Sequence, residues 1–185
     1  SEAAWMALER KRGKLAALNS LLQTGDQAAF MRIVGDTDSL GVVRYVITLD
    51  AGSQLPRDGA RALVGTLAHP LNHARFDDAR RIVTAGYGIL HPRVTTLMSG
   101  QRRSRYASLY GGETGIDPYT RAVSDVYQDL FGEGSFVGKG IYDVDAFEAA
   151  LAGRVPDNAL LSHDLFEGVF ARAGLVTDVE LFESA

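Results

Sequence analysis

Apolar positions recur at helical spacing near the start of the chain. Leu8, Leu15, Leu18, Leu21 and Leu22 fall on this pattern, with Glu9, Arg10, Lys11 and Arg12 elsewhere. Strong helix formers fill the same stretch, so the pattern predicts a helix over 5–22. Gly13 interrupts it as a candidate true start, and Thr24-Gly25-Asp26 stops it. Residues 42–49 read VVRYVITL, β-branched and aromatic with few charges. That composition predicts a strand buried on both faces, as in a parallel sheet. The strand runs straight into Asp50-Ala51-Gly52-Ser53. After Pro56 a helix over 57–68 places Ala60, Leu63, Val64 and Leu67 on one face, and Pro70 ends it. A loop over 72–78 precedes a strand-like region over 81–95, in which His91-Pro92 argues against one long strand.

Residues 99–113 are basic and then glycine-rich. A helix is predicted over 119–131 from Val123, Val126, Tyr127, Leu130 and Phe131, and Gly132-Glu133-Gly134 breaks it. Residues 135–142 (SFVGKGIY) form a short strand with an internal glycine pair. A helix over 145–151 carries a D-x-x-E capping box from Asp145 to Glu148, with Gly153 after its end. Residues 155–161 lead into Ser162-His163-Asp164. This polar triplet stands directly before a helical pattern of Leu165, Phe166, Val169, Phe170 and Ala173. A last strand covers 175–182. Strands alternating with helices predict an α/β domain with a mostly parallel sheet flanked by helices.

Composition narrows the function classes. The 185 residues suffice for one domain with a core, and 46% hydrophobic and 23% charged residues are ordinary globular values. The net charge of −4 leaves no electrostatic footprint for nucleic acid. The absence of cysteine excludes disulfides and thiolate metal sites. No apolar run approaches the roughly 20 residues needed to span a bilayer, and no signal peptide is visible. The chain opens at Ser1 without an initiator Met, so it reads as a fragment of a larger protein.

Four groups carry candidate chemistry. Asp50 ends a buried strand and is followed by small residues. Such a carboxylate lies at the carboxyl edge of the sheet, where open α/β sheets bind ligands, and Mg²⁺ or Mn²⁺ prefers such oxygen donors. The plainer reading is a turn cap. Taken alone, Asp164 reads first as a helix N-cap, with His163 a polar neighbour. Lys14 follows Gly13 at a helix start, where backbone approaches phosphate, or it belongs to a solvated basic face. Gly138-Lys139-Gly140 permits close backbone approach to a ligand but lacks P-loop spacing. Asp143-Val144-Asp145 resembles an acid pair, which the capping box at Asp145 explains more simply.

The order of these pieces is more specific than any one of them. A Gly13-Lys14-Leu15-Ala16-Ala17-Leu18-Asn19 helix, a strand ending in Asp50-Ala51, a glycine-bearing strand and Asp164 at a helix start follow one another. This order resembles the inverting, family-2-like glycosyltransferases of the GT-A fold. The run Tyr45 to Asp50, Gln54-Leu55-Pro56-Arg57-Asp58 and Ala68-His69-Pro70-Leu71-Asn72 brings the resemblance closer to one family. So do Gly115-Ile116-Asp117-Pro118-Tyr119, Ser124 through Phe136, and Gly138 through Phe147. Together they are similar to the glycosyltransferase region of cyclic β-1,2-glucan synthases, which are large bacterial inner-membrane proteins with a cytoplasmic transferase region.

The resemblance implies transfer of glucose from UDP-glucose, with inversion, to the 2-hydroxyl of a growing β-1,2-glucan. It implies Asp164 as general base, Asp50 as the first acid of D-x-D and a Mg²⁺ or Mn²⁺ ligand, and Lys14 near the donor phosphates. It places Gly138, Lys139, Gly140 and His163 on the acceptor side. The implied partners are donor, glucan acceptor and the remainder of the parent chain, without nucleic acid. Two departures stand out. The second acid of D-x-D is Gly52 here, and the Q-x-x-R-W motif of processive relatives is absent. No strand precedes Trp5 to contact a uracil ring, so the isolated fragment is expected to be inactive or very weak. The competing reading is a degenerate, non-catalytic sugar- or nucleotide-binding module. A glycoside hydrolase would need a second carboxylate across a sugar cleft, and no motif selects one.

Overall fold

In a computed structural model, residues 10–97, 126–154, 160 and 163–184 are described. The glycine-rich run over 99–113, the Gly115-to-Asp125 motif, the start of the predicted 119–131 helix, and Ser162 lie outside them. Helix α1 spans Arg10–Thr24 and passes through Gly13 without a break. It ends at Gly25, whose φ of 74° is open to glycine and whose N–H bonds to the Leu21 carbonyl at 2.9 Å. A 3₁₀ turn (Leu40–Val42), β1 (Tyr45–Thr48), β2 (Ser53–Gln54), α2 (Gly59–Leu67), β3 (Arg75–Asp77), β4 (Ile82–Ala85) and β5 (Ile89–Leu97) follow. After α3 (Val126–Phe131) come β6 (Gly140–Asp143), α4 (Val144–Leu151), α5 (Asp164–Ala171) and β7 (Ala173–Ser184).

The main sheet has the order β1-β6-β5-β7-β2, and β3 and β4 form a separate hairpin. The long β5–β7 ladder is parallel, whereas β1–β6, β6–β5 and β7–β2 are antiparallel. The sheet is therefore mixed, and the parallel character predicted from sequence holds for its longest ladder. Two antiparallel steps leave β1, β5 and β7 running in the same direction, so their carboxyl ends share one edge. The strand over 42–49 is shorter than predicted and is an outer strand of the described sheet, only partly covered. The strand buried on both faces is β6.

Alternation along β5 and β6 sorts the core into two layers. Ile89 and its partner Tyr142 face one side, with Leu22, Phe136, Phe147, Leu151 and Ala171 from α1, α4, α5 and the loop before β6. Leu90 and Ile141 face the other, against Leu63 and Leu67 of α2. His91-Pro92 lies inside β5 after all. The register shifts between Pro92 and Arg93, because Thr177, Asp178 and Val179 of β7 are skipped there. A proline with no N–H to give is tolerated at such an irregularity.

The N-cap of α4 is Asp143, whose carboxylate accepts from the Ala146 N–H at 3.1 Å, rather than Asp145. Glu148 instead takes part in a buried polar chain. Tyr142 Oη donates to Asn19 Oδ1 at 2.7 Å, and Asn19 Nδ2 donates to Glu148 Oε1 at 2.7 Å. Asn19 is fully buried, so α1 is tied to the sheet by a side chain that water cannot replace. Asn19→Ala is expected to lower the unfolding free energy by about 2–3 kcal/mol, because two partners lose their bonds, and Tyr142→Phe by about 1 kcal/mol. Urea titration of the two variants would show equal losses if this chain were not what fixes α1.

Candidate functional site

The site forms where β1, β7 and the start of β6 meet. The pairing of Thr48 with Gly140 and of Ser53 with Glu183 brings three segments together at the shared carboxyl edge. Asp50 follows β1, Glu183 lies near the end of β7, and Gly138-Lys139 leads into β6. Two glycines permit the close approach. A Cβ on Gly140 would stand 2.2 Å from the Leu90 carbonyl oxygen, and one on Gly138 would stand 2.9 Å from Asp164 Oδ1. Gly138 has φ of 79° and is buried. Its carbonyl accepts from Lys11 Nζ at 2.6 Å and Thr48 Oγ1 at 3.2 Å.

Around that backbone the charges interlock. Lys11 Nζ is 2.9 Å from Asp50 Oδ1, and Lys139 Nζ is 3.3 Å from Asp50 Oδ2. Lys139 also pairs with Glu183, whose carboxylate accepts from Ser53 Oγ at 3.1 Å. Burial alone would raise Asp50, but the hydrogen bonds and charges of Lys11 and Lys139 hold its carboxyl below the ordinary range. Asp164 goes the other way. Burial, reinforced by the charge of Asp50, raises it against the pull of Lys11, His163 and Lys139. The proton affinities of Asp50 and Asp164 are thus driven apart, the arrangement that separates acid and base roles.

Of the residues that the sequence suggests, Asp50, Gly138, Lys139 and Asp164 converge here, with Gly140 behind them. Asp164 is the first residue of α5 rather than its cap. The cap position belongs to His163, whose side chain makes no capping bond. Lys14 is exposed, and the amine on Asp50 comes from Lys11, one turn earlier on α1. Sequence reasoning missed Lys11, Glu183 and Glu167. Glu183 shares the strand face of the buried Val179 and Leu181, so an acid in a core-facing register was its signal. Glu167 stands three residues after Asp164 on the buried face that continues to Gly168 and Ala171, while Leu165 and Val169 are exposed.

A divalent ion does not fit the donors present. Position 52 offers no carboxylate, and both oxygens of Asp50 carry lysine ammonium groups. Among the described residues no group of three His, Cys, Asp or Glu side chains converges. Fold and site together define an α/β domain with an acid–lysine site at the carboxyl edge of its sheet. The chain is similar to a segment of the cyclic beta-(1,2)-glucan synthase NdvB of Rhizobium meliloti (strain 1021), with 50% identity over 184 residues. That alignment covers 99% of this chain and 6% of NdvB, so the chain spans a small part of the relative's length. The resemblance carried by the sequence motifs thus extends over nearly the whole chain. No protein-family model matches it. No helix among the described residues is long and apolar enough to cross a membrane.

Glu167 is 4% exposed, and burial, with the nearby charge of Asp164, pushes it from 4.5 up to about 7. The folded protein therefore holds a proton that the unfolded chain releases. Stability contributed by protonated Glu167 is full below about pH 4.5 and is lost as pH rises to about 7. The loss amounts to about 3 kcal/mol at most. Glu167→Gln is expected to remove this fall, so that the variant exceeds the parent in stability at pH 8 but not at pH 4. Urea midpoints at the two pH values check the sign, and parallel profiles would contradict it.

Proposed function

We propose that the chain is part of a GT-A-type glycosyltransferase that moves glucose from UDP-glucose, with inversion, to the 2-hydroxyl of a growing β-1,2-glucan. The proposed setting is a bacterial inner-membrane protein whose transferase region faces the cytoplasm. The observation that carries this reading is that Asp164 lies against Gly138 and Asp50 is linked to the Gly138 carbonyl through Lys11, at the edge where α/β sheets take ligands. The similarity to NdvB supplies the class of reaction.

Asp164 is the general base. Its carboxylate takes the proton of the acceptor 2-hydroxyl as that oxygen bonds to the anomeric carbon from the face opposite UDP. The anomeric C–O bond breaks, and UDP leaves with the electron pair. The raised proton affinity of Asp164 suits this role, because a base closer to the working pH takes a proton more readily. His163 and Gly138 line the acceptor side. Asp50 holds the donor end through its lysine partners.

In the natural full-length protein, Asp164→Asn is expected to lower the transfer of labelled glucose from UDP-glucose into glucan by 10²–10⁴-fold, with UDP affinity unchanged. Retention of parental turnover would remove Asp164 from the mechanism. UDP binding without transfer in the parent protein would favour the non-catalytic module instead.

A further inference from the structure

Lys139 is the more enclosed of the two lysines of the site. Its side chain is 16% exposed and lies between two carboxylates, Asp50 from β1 and Glu183 from β7. Ser53 donates to Glu183, and the flanking Gly138 and Gly140 allow the segment its close approach to Asp164 and Leu90. The Lys139 ammonium bridges the two carboxylates where a cation would sit, and Lys11 offsets the second negative charge at Asp50. The pairing also keeps the amine protonated, since it outweighs the burial that would lower it. Lys11 adds a second ammonium on the other oxygen of Asp50 and is more open to solvent. Position 52 is glycine, so no second acid follows Asp50 in the sequence.

We propose that Lys139 is a built-in cation. With Lys11, it meets the charge of the donor diphosphate, so that nucleotide binding at this site does not depend on a divalent metal. The inference rests on the donor-binding reading above and deepens it. Lys139 is fixed by Asp50 and Glu183, while the exposed Lys11 ammonium can turn from Asp50 to a phosphate oxygen. An ammonium pairs with phosphate as a point charge and needs no coordination geometry. Binding that rests on such pairs weakens with salt.

The test is calorimetric titration of UDP into the natural full-length protein, in EDTA and in excess Mn²⁺. The expected affinities agree within twofold in the two conditions and fall as salt is raised. Lys139→Gln is expected to weaken binding in EDTA at least tenfold, with circular dichroism reporting an intact fold. Lys11→Gln, at a more exposed position, gives a second variant should the first fail to fold, with an expected loss of at least threefold. The combined Gly52→Asp, Lys139→Gln protein is expected to recover affinity only when Mn²⁺ is present. Binding seen only with Mn²⁺ in the parent protein would overturn the built-in cation while leaving the donor site standing. No UDP binding by the folded protein in either condition would overturn the donor site itself. Unchanged affinity in both lysine variants would overturn the role of the ammonium groups.

Discussion

The absence of a side chain at Gly138 is the constraint on which the site depends. A Cβ there would push the Asp164 carboxylate from its place, and the left-handed backbone would strain any other residue. Because the position is bare, α5 brings Asp164 onto the backbone that leads into β6. The Gly138 carbonyl accepts from Lys11 and Thr48. Gly140 repeats the device two residues later against the Leu90 carbonyl, which lets β6 enter the sheet beside β5. One short segment thereby fixes the distance between the acid from β1 and the acid from α5.

Helix α1 connects this edge to the core. Leu18 and Leu22 pack with the sheet, Asn19 holds Tyr142 and Glu148, and Lys11 reaches Asp50. Eight residues of helix separate Lys11 from Asn19, or about 12 Å at the usual rise per residue. The rigid connection means that the amine at Asp50 is positioned by a buried amide some two turns away. The helix fixes the Lys11 backbone, so forming the pair costs only the entropy of the lysine side chain. Lys139 is held differently, by two carboxylates from two strands, so the cations at the site have independent anchors.

The electrostatic asymmetry between the acids follows from these anchors. Asp50 is the more open and stays ionised through its two amines, whereas Asp164 and Glu167 sit on the buried face of α5 and are pushed up. The α5 carboxyls share a helix face, so charge on one opposes charge on the other. Protonated Glu167 relieves that opposition and leaves Asp164 as the carboxylate nearer the glycine segment. The helix thus tolerates a glutamate where spacing alone would call for leucine.

Much of this was written in local pattern. The apolar spacing of Leu63 and Leu67 and the glycine stop at Gly25 need only neighbours in sequence to take effect, so the corresponding helices were legible. So was the placement of Asp50 at a strand end, which β-branched composition signals by itself. The edge position of β1, the mixed sheet and the bulge that admits Pro92 were decided by strand pairing between distant segments, which no local period encodes. The shift of the α4 cap to Asp143 was decided by where β6 ends. At the site, sequence determined the residue types: an acid without a second acid at Gly52, glycines around a lysine, and an acid at a helix start. Only the tertiary structure decided which amine serves Asp50. Lys11 and Lys14 have the same chemistry and similar neighbours, and helix phase against the sheet edge alone separates them. Lys139 and Glu183 lie 44 residues apart, and nothing in either stretch names the other. Their pairing exists because β6 and β7 are built into one sheet and share that edge.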